Sequence, residues 1–150
     1  MKALIKEVNP GTVYQDKISD YWIKVQLTNG QNIEIFDATP YDLRNKINQS
    51  IECLVIATFI DIVNEPNQIK KPLLNGKFLG KYDISSKWEN IFEGGNKVYK
   101  LASEWYAVDS EGSIFLVTLS NEDIKSLRKG DDINMVVGRY DLVAWYPIEE

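Results

Sequence analysis

The sequence contains no histidine and a single cysteine, and these scarcities remove most of the usual reaction centres. Histidine is the commonest general base, the partner in Ser-His and Cys-His nucleophile pairs, and a frequent zinc ligand. One thiol, Cys53, cannot form a thiolate metal site or an internal disulfide. The chain also lacks a Walker loop and a dinucleotide-binding glycine fingerprint. We therefore expect a protein that acts by binding and is not an enzyme, with no metal and no cofactor.

Long hydrophobic runs are missing as well. No stretch approaches the roughly 20 apolar residues that cross a bilayer, and the first residues, MKALIKEV, lack the apolar core of a signal peptide. Cys53 lies in an apolar stretch, where a thiol packs as a small hydrophobe and suits a reducing compartment. We expect a cytoplasmic protein that has no membrane partner.

Basic residues are outnumbered by acidic ones, 17 to 22, and most of the difference lies in residues 76–150, with 9 basic and 13 acidic groups. A surface of this kind repels a phosphate backbone, which disfavours nonspecific binding of nucleic acid. It would instead complement a basic protein, as an inhibitor or immunity protein does when it blocks a basic toxin such as a nuclease. The 150 residues are 44% hydrophobic, enough for a folded globular chain.

What the chain does contain is an internal repeat. Apolar positions in the first copy recur in the second at a constant offset of 81 residues, which becomes 82 at the strand that follows. The matched pairs are Ile33 with Ile114, Ile35 with Leu116, Leu43 with Ile124 and, at the larger offset, Ile51 with Ile133. The repeat predicts a duplicated architecture.

Each copy begins with a predicted hairpin, because apolar and polar residues alternate over 21–28 and 31–36. A three-residue loop, 28–30, with Gly30 in the left-handed conformation, sets Val25 opposite Ile33 and keeps both faces consistent. On the outer face this register stacks Trp22 beside Phe36. It also makes Lys24 and Glu34 a predicted cross-strand ion pair.

A short helix and a long strand are predicted after each hairpin. Thr39 and Ser120 are suitable helix N-caps, and the helices should end near Ile47 and at Gly130. The strand 51–63 is apolar on both faces, which is typical of a central strand covered on both sides. Further strands are predicted at 3–8 and 77–84, and Gly138 indicates a bulge or a sharp bend in the last strand.

The order strand, strand, strand, short helix, strand, strand resembles the OB-fold, and Leu127 to Ile133 resembles the L-x-x-G-D-x-I entry into a fourth strand of such barrels. The resemblance implies an all-β protein with two short helices, built as tandem or pseudo-duplicated OB-like barrels packed as one compact unit. The halves would be residues 1–66 and 77–150, joined by a connector over 67–76. An SH3-like barrel and a single pseudo-symmetric barrel remain alternatives.

Aromatic and basic residues supply the candidate binding positions. Trp22, Lys24 and Phe36 share one hairpin face, and an aromatic platform with nearby cations is how OB-like barrels stack single-stranded bases. The alternative is that this face packs against the other half of the chain. A second cluster near Phe78 and Tyr82 is either a basic patch or a set of charges that keeps a sheet edge soluble. This cluster comprises Lys70, Lys71, Lys77 and Lys81.

The sequence thus favours a non-catalytic binding module whose partner is another protein, with single-stranded nucleic acid as the rival ligand. A homodimer is also compatible with the pattern.

Overall fold

The computed structural model describes residues 1–65, 73–83, 88 and 105–148. The predicted all-β class is confirmed, since strands dominate the described part and α1, Asn121–Ser126, is its sole α-helix with assigned bounds. The strands are β1 Lys2–Pro10, β2 Val13–Tyr14, β3 Lys17–Ile18, β4 Tyr21–Leu27, β5 Asn32–Asp37, β6 Ser50–Ile62, β7 Leu73–Lys81, β8 Tyr106–Ser110, β9 Ser113–Val117 and β10 Asp132–Pro147.

The chain divides into two compact units. The first contains Met1–Ile56 together with Arg139–Glu150, and the second contains Ala57–Gly138. The predicted halves differ from these units, because the chain from Arg139 onward groups with the first unit. Both boundaries fall inside a long strand, β6 or β10, so each of these strands contributes residues to both units.

In the first unit the strands pair in the order β6–β1–β4–β5–β10. β1 is antiparallel to β4 and, at its start, to β6, whereas the far end of β10 runs parallel to β5. The buried side chains of this unit line the inner face of these strands. They include Ile5, Ile23, Val25, Ile35, Leu43 and Val55.

The strands of the second unit pair in the order β6–β9–β8–β7–β10. β7 is antiparallel to β8 and to the start of β10, and β8 forms a hairpin with β9. β6 and β10 are also neighbours in the strand order. The buried side chains of the second unit include Phe78, Val108, Phe115, Val117, Ile133 and Met135.

The repeat is visible in matching backbone hydrogen bonds. In the first unit the N–H of Ile5 donates to the carbonyl of Gln49 at 3.0 Å, and the N–H of Asn48 donates back to Ile5 at 2.7 Å. In the second unit Phe78 makes the same two bonds, to Asp131 at 2.8 Å and from Gly130 at 2.7 Å. The first strands carry matching irregularities too, between Ile5 and Glu7 and between Phe78 and Gly80.

These pairings correct the predicted offset of 81 by one residue for the second hairpin strand and by two residues for the first. Ile33 lies opposite Val25, which lies opposite Ile5. The corresponding chain in the second unit is Phe115, Val108 and Phe78. Ile33 is therefore equivalent to the buried Phe115 and not to Ile114, which is only half-buried. The offset is 82 for the second hairpin strand and 83 for the first.

The predicted hairpin register is confirmed. Val25 pairs with Ile33 and Trp22 with Phe36, and Gly30 has a φ of 87° in the predicted loop. The loop closes with the N–H of Gly30 donating to the carbonyl of Leu27 at 2.9 Å. Alternation alone was enough here because both strands are buried on one face only.

The prediction of two helices is wrong for the first copy. Only a 3-10 helix, Arg44–Lys46, forms there. The buried carboxylate of Asp37 accepts from the N–H groups of Tyr41 and Asp42 at 3.0 and 3.1 Å, and Asp42 has a φ of 60°, which interrupts a right-handed helix. In the second copy Ser120 caps α1 as predicted, accepting from the N–H of Asp123 at 3.2 Å.

The long strand β6 is confirmed at Ser50–Ile62, but the burial of its side chains changes along its length. Cys53, Leu54 and Val55 are buried on both faces, and burial raises the pKa of the Cys53 thiol to about 12. Phe59, which the sequence pattern assigned to the interior, is instead 74% exposed. The predicted strand 77–84 is observed as β7, which ends at Lys81; Ile84 lies outside the described residues.

Gly138 marks a close approach between β10 and β6. A Cβ atom at this glycine would lie 2.6 Å from the Cβ of Phe59, and Phe59 has a φ of 52°, which a bulky residue rarely adopts. The contact at Gly138 therefore leaves no room for a side chain.

We expect Gly138→Ala to lower the free energy of unfolding by about 1–3 kcal/mol, since an overpacked contact forces the backbone apart. Adding Phe59→Gly should recover part of that loss, because it removes the clashing atom and suits the positive φ. Urea denaturation of the two single variants and the double variant measures both effects. Equal stability of Gly138→Ala and the parent chain would contradict this description of the contact.

Candidate binding surface

The outer face of the β4–β5 hairpin carries a partly accessible aromatic surface. Burial alternates strictly along β4, where Tyr21, Ile23 and Val25 are buried but the residues between them are not. On this outer face Trp22 and Phe36 are half-buried and Lys24 is exposed. The structure thus brings together three of the predicted site residues.

Trp22 and Phe36 form a tilted aromatic pair with ring centroids 4.7 Å apart. Arg139 also contacts Phe36, with its guanidinium carbon 4.7 Å from the ring centroid. The same guanidinium donates twice to Asp141, from Nε to Oδ1 at 2.7 Å and from Nη2 to Oδ2 at 3.2 Å. We call Trp22, Phe36, Arg139 and Asp141 the aromatic cluster.

Sequence reasoning missed Arg139 and Asp141 because they lie far along the chain from the hairpin. Their position depends on the parallel pairing of β10 with β5, which sets Asp141 opposite Phe36. The available signal was the R-x-D spacing in a strand, where alternate residues share a face and an arginine can chelate the carboxylate two positions on.

Lys24 lies opposite Glu34, as predicted, but its ion pair is with Glu7 of β1, at 3.5 Å between Nζ and Oε2. Glu7 is directly opposite Lys24 on the other neighbouring strand. The Nδ2 of Asn9 also donates to Glu7, at 3.3 Å. The cations of this surface, Lys24 and Arg139, therefore each have a carboxylate partner within ion-pair distance.

A shallow apolar groove of about 370 Å³ lies on the same hairpin, beside the irregularity in β1. Val25 and Ile33 contribute to its lining, and charged or polar side chains surround them. The full lining is Lys6, Lys24, Val25, Asn32, Ile33 and Glu34, which we call the groove.

A two-stranded hairpin, β2–β3, projects from the connection between β1 and β4. Its turn residues Gln15 and Asp16 both have positive φ, at 49° and 63°, which is the pattern of a tight type I′ turn. Tyr14 and Val13 are 72% and 56% exposed. We call residues 11–20 the hairpin arm.

Asp20 closes the base of the hairpin arm. Its carboxylate accepts from the N–H of Thr12 at 2.6 Å, and its carbonyl accepts from the N–H of Gly11 at 3.0 Å. A Cβ atom at Gly11 would lie 3.4 Å from the Trp22 ring, so the arm begins against the aromatic cluster.

The equivalent hairpin face in the second unit is buried. By the corrected register Trp22 corresponds to Trp105, and the facing pair Lys24 and Glu34 corresponds to Ala107 and Leu116. Trp105, Ala107 and Leu116 are 3%, 5% and 0% exposed. The two copies therefore keep the tryptophan but differ in whether it is accessible.

The structure describes only part of the predicted lysine cluster. Lys70 and Lys71 lie outside them, whereas Lys77 and Lys81 lie in β7 of the second unit. Lys77 forms an ion pair with Asp132. Phe78 is buried against Tyr106, with ring centroids 5.9 Å apart, so it cannot stack on an outside ligand.

Perturbed ionisable groups gather at the turn after β5. Burial raises the pKa of Asp37, and the adjacent Arg44 lowers that of Asp42, with which it forms a bidentate pair at 2.7 and 2.8 Å. Tyr21 lies 5.1 Å under the Arg44 guanidinium. Because Asp37 is fully buried and accepts backbone N–H groups, its carboxylate supports the turn.

No group of three or more Cys, Asp or Glu side chains lies close enough together to hold a metal ion in residues 1–65, 73–83, 88 and 105–148. Over the same ranges no helix has the length and apolar character needed to span a bilayer. Comparison with known proteins finds no family model that matches the chain and no curated protein significantly similar to it.

Acrylamide quenching of tryptophan fluorescence tests the difference between the two copies. We expect Trp22→Phe to remove a large part of the quenchable emission and Trp105→Phe to remove almost none, since Trp22 is half-buried and Trp105 is buried. The two variants are a matched pair, because they change equivalent positions. Similar loss of quenchable emission from both would show that the Trp22 face is as closed as its counterpart.

Proposed function

We propose that the protein is a non-catalytic protein-interaction module that binds its partner through the outer face of β4–β5. The observation that carries this proposal is the contrast between the copies: the first keeps an accessible aromatic cluster where the second has a buried apolar face. Surface that stays accessible on one copy of a duplicated hairpin, with a tryptophan at its centre, is typical of a binding site.

We further propose that each unit is an OB-like barrel. The order β6–β1–β4–β5–β10 supports this fold for the first unit, with β5 and β10 parallel and the 3-10 helix between the third and fourth strands. The second unit has the corresponding order and α1 in the corresponding connection. In OB-folds the outer face of the second and third strands and the loop between the first two bind ligands. Here these are β4–β5 and the hairpin arm.

The charges of the surface favour a protein ligand over a nucleic acid. Lys24 and Arg139 are each paired with a carboxylate, so the surface offers little unbalanced positive charge to a phosphate backbone. Tryptophan, tyrosine and arginine are also the residues that are enriched at the energetic centres of protein interfaces. The net charge of −5 also disfavours a nucleic acid as the ligand.

Affinity capture from the source cell, with the chain as bait, tests the protein partner. We expect a partner that the parent chain retains and that Trp22→Ala and Lys24→Glu lose at least tenfold, a loss of about 1.4 kcal/mol. Ile47→Ser is the matched control, since Ile47 is an exposed apolar residue outside this surface. The proposal fails when capture by Trp22→Ala and Lys24→Glu equals capture by the control.

Single-stranded nucleic acid is the second candidate, favoured by the aromatic pair on the face that OB-folds use for bases. Titration with labelled oligonucleotides at low salt separates the two. A protein-binding function predicts no change in tryptophan fluorescence, whereas stacking on Trp22 would quench it and Trp22→Phe would abolish the quenching. If oligonucleotides quench the parent chain but not Trp22→Phe, the function would be binding of single-stranded nucleic acid.

We also propose a cytoplasmic location. The support is the single, buried Cys53, which is neither paired nor placed for oxidation.

A further inference from the structure

We propose that two copies of this chain associate, with the hairpin arm of each copy seated in the groove of the other. This inference rests on the proposed function, because it uses the same surface and names a second copy as a partner of that surface. It extends the proposal by identifying which residues meet.

The hairpin arm has the properties of an inserted element. Val13 and Tyr14 are among the few large apolar side chains that are exposed in the described part of the chain. The type I′ turn and the hydrogen bonds of Asp20 hold the arm in one conformation before any partner binds. A preformed arm loses little conformational entropy on binding, which favours its use as an anchor.

The groove has a size and lining that suit an aromatic side chain. Its volume of about 370 Å³ falls within the range of small-ligand pockets, roughly 300–1,000 Å³. Val25 and Ile33 form its floor but are only 1% and 9% exposed, so its accessible apolar surface comes chiefly from the alkyl chains of Lys6 and Lys24. The ring of Tyr14 could lie across these alkyl chains while its hydroxyl stays near the polar rim.

The charges at the two elements are complementary. The tip of the arm carries Asp16 and Lys17, one of each sign, and the rim of the groove carries Lys6 and Glu34. All four side chains are exposed, and none of them forms an ion pair within the part of the chain that the structure describes. Lys17 of one copy can thus face Glu34 of the other while Asp16 faces Lys6.

The arm and the groove both belong to the first unit, so one two-fold axis can satisfy both contacts at once. Such a reciprocal interface is the commonest form of self-association in soluble proteins. Each dimer would contain the contact between arm and groove twice. A substitution in either element would therefore change the free energy of association twice over.

Sedimentation velocity of the full chain over a concentration series tests the proposal. We expect the parent chain to shift from monomer to dimer with rising concentration, and Tyr14→Ala to weaken association at least tenfold. Ile47→Ser, which removes another exposed apolar side chain, should leave association unchanged. A parent chain that stays monomeric to about 1 mM, the level of a very weak complex, would overturn the inference.

A charge exchange then tests which residues meet. Lys17→Glu and Glu34→Lys should each weaken association of the single variant, because like charges would face each other twice in its dimer. Mixing the two variants should restore association, since both contacts in the mixed dimer again join opposite charges. Failure of the mixture to associate more tightly than either variant alone would exclude the proposed pairing.

The outcomes separate this inference from the proposed function. A monomeric chain whose captured partner is lost with Lys24→Glu would overturn self-association and keep the protein-interaction surface. A dimer that dissociates with Tyr14→Ala and recovers in the charge exchange would support self-association without any other partner.

Discussion

The structure depends on the need to hydrogen-bond the backbone along both edges of each set of strands. Open edges are costly when buried and invite aggregation when exposed. In each unit the hairpin and the strand before it supply three strands, and the remaining two are segments of β6 and β10. Each unit would lack pairing partners without these long strands.

The two units share their backbone pairings but not the outer faces of their hairpins. The parts that set the backbone, such as the paired hydrogen bonds of Ile5 and Phe78 with the chain entering the long strand, are the same in both units. The outer faces of the hairpins are not needed for that pairing. They were free to diverge, from Lys24 and Glu34 in one copy to Ala107 and Leu116 in the other.

How much was predictable from the sequence differs between elements for physical reasons. The β4–β5 register followed from alternation and the loop, because a slip of one residue would expose a whole apolar face. The first helix did not follow, because the carboxylate of Asp37 outcompetes the helix for the N–H groups of Tyr41 and Asp42. The predicted offset of the repeat was one residue short in the second hairpin strand, since Ile114 and Phe115 are both apolar and only strand pairing distinguishes them.

For the binding surface too, the sequence predicted the local contacts but not those between distant parts of the chain. Local alternation was sufficient to join Trp22, Lys24 and Phe36 on one face, whereas Arg139 and Asp141 reach that face only through parallel pairing across the length of the chain. Lysine spacing suggested a basic patch, yet burial of Phe78 removes its aromatic component. Charge count could not show that Lys24 pairs with Glu7, because that contact depends on which strand lies beside β4.

The sequence by itself determined the β class, the repeat, the hairpin register and the lack of histidine side chains. All of these are properties of composition or of neighbours within a few residues. Only the tertiary structure decided which hairpin face is accessible and which distant residues complete it. Accessibility depends on what packs against a face, and residues with the same local pattern, such as Trp22 and Trp105, can end in opposite environments.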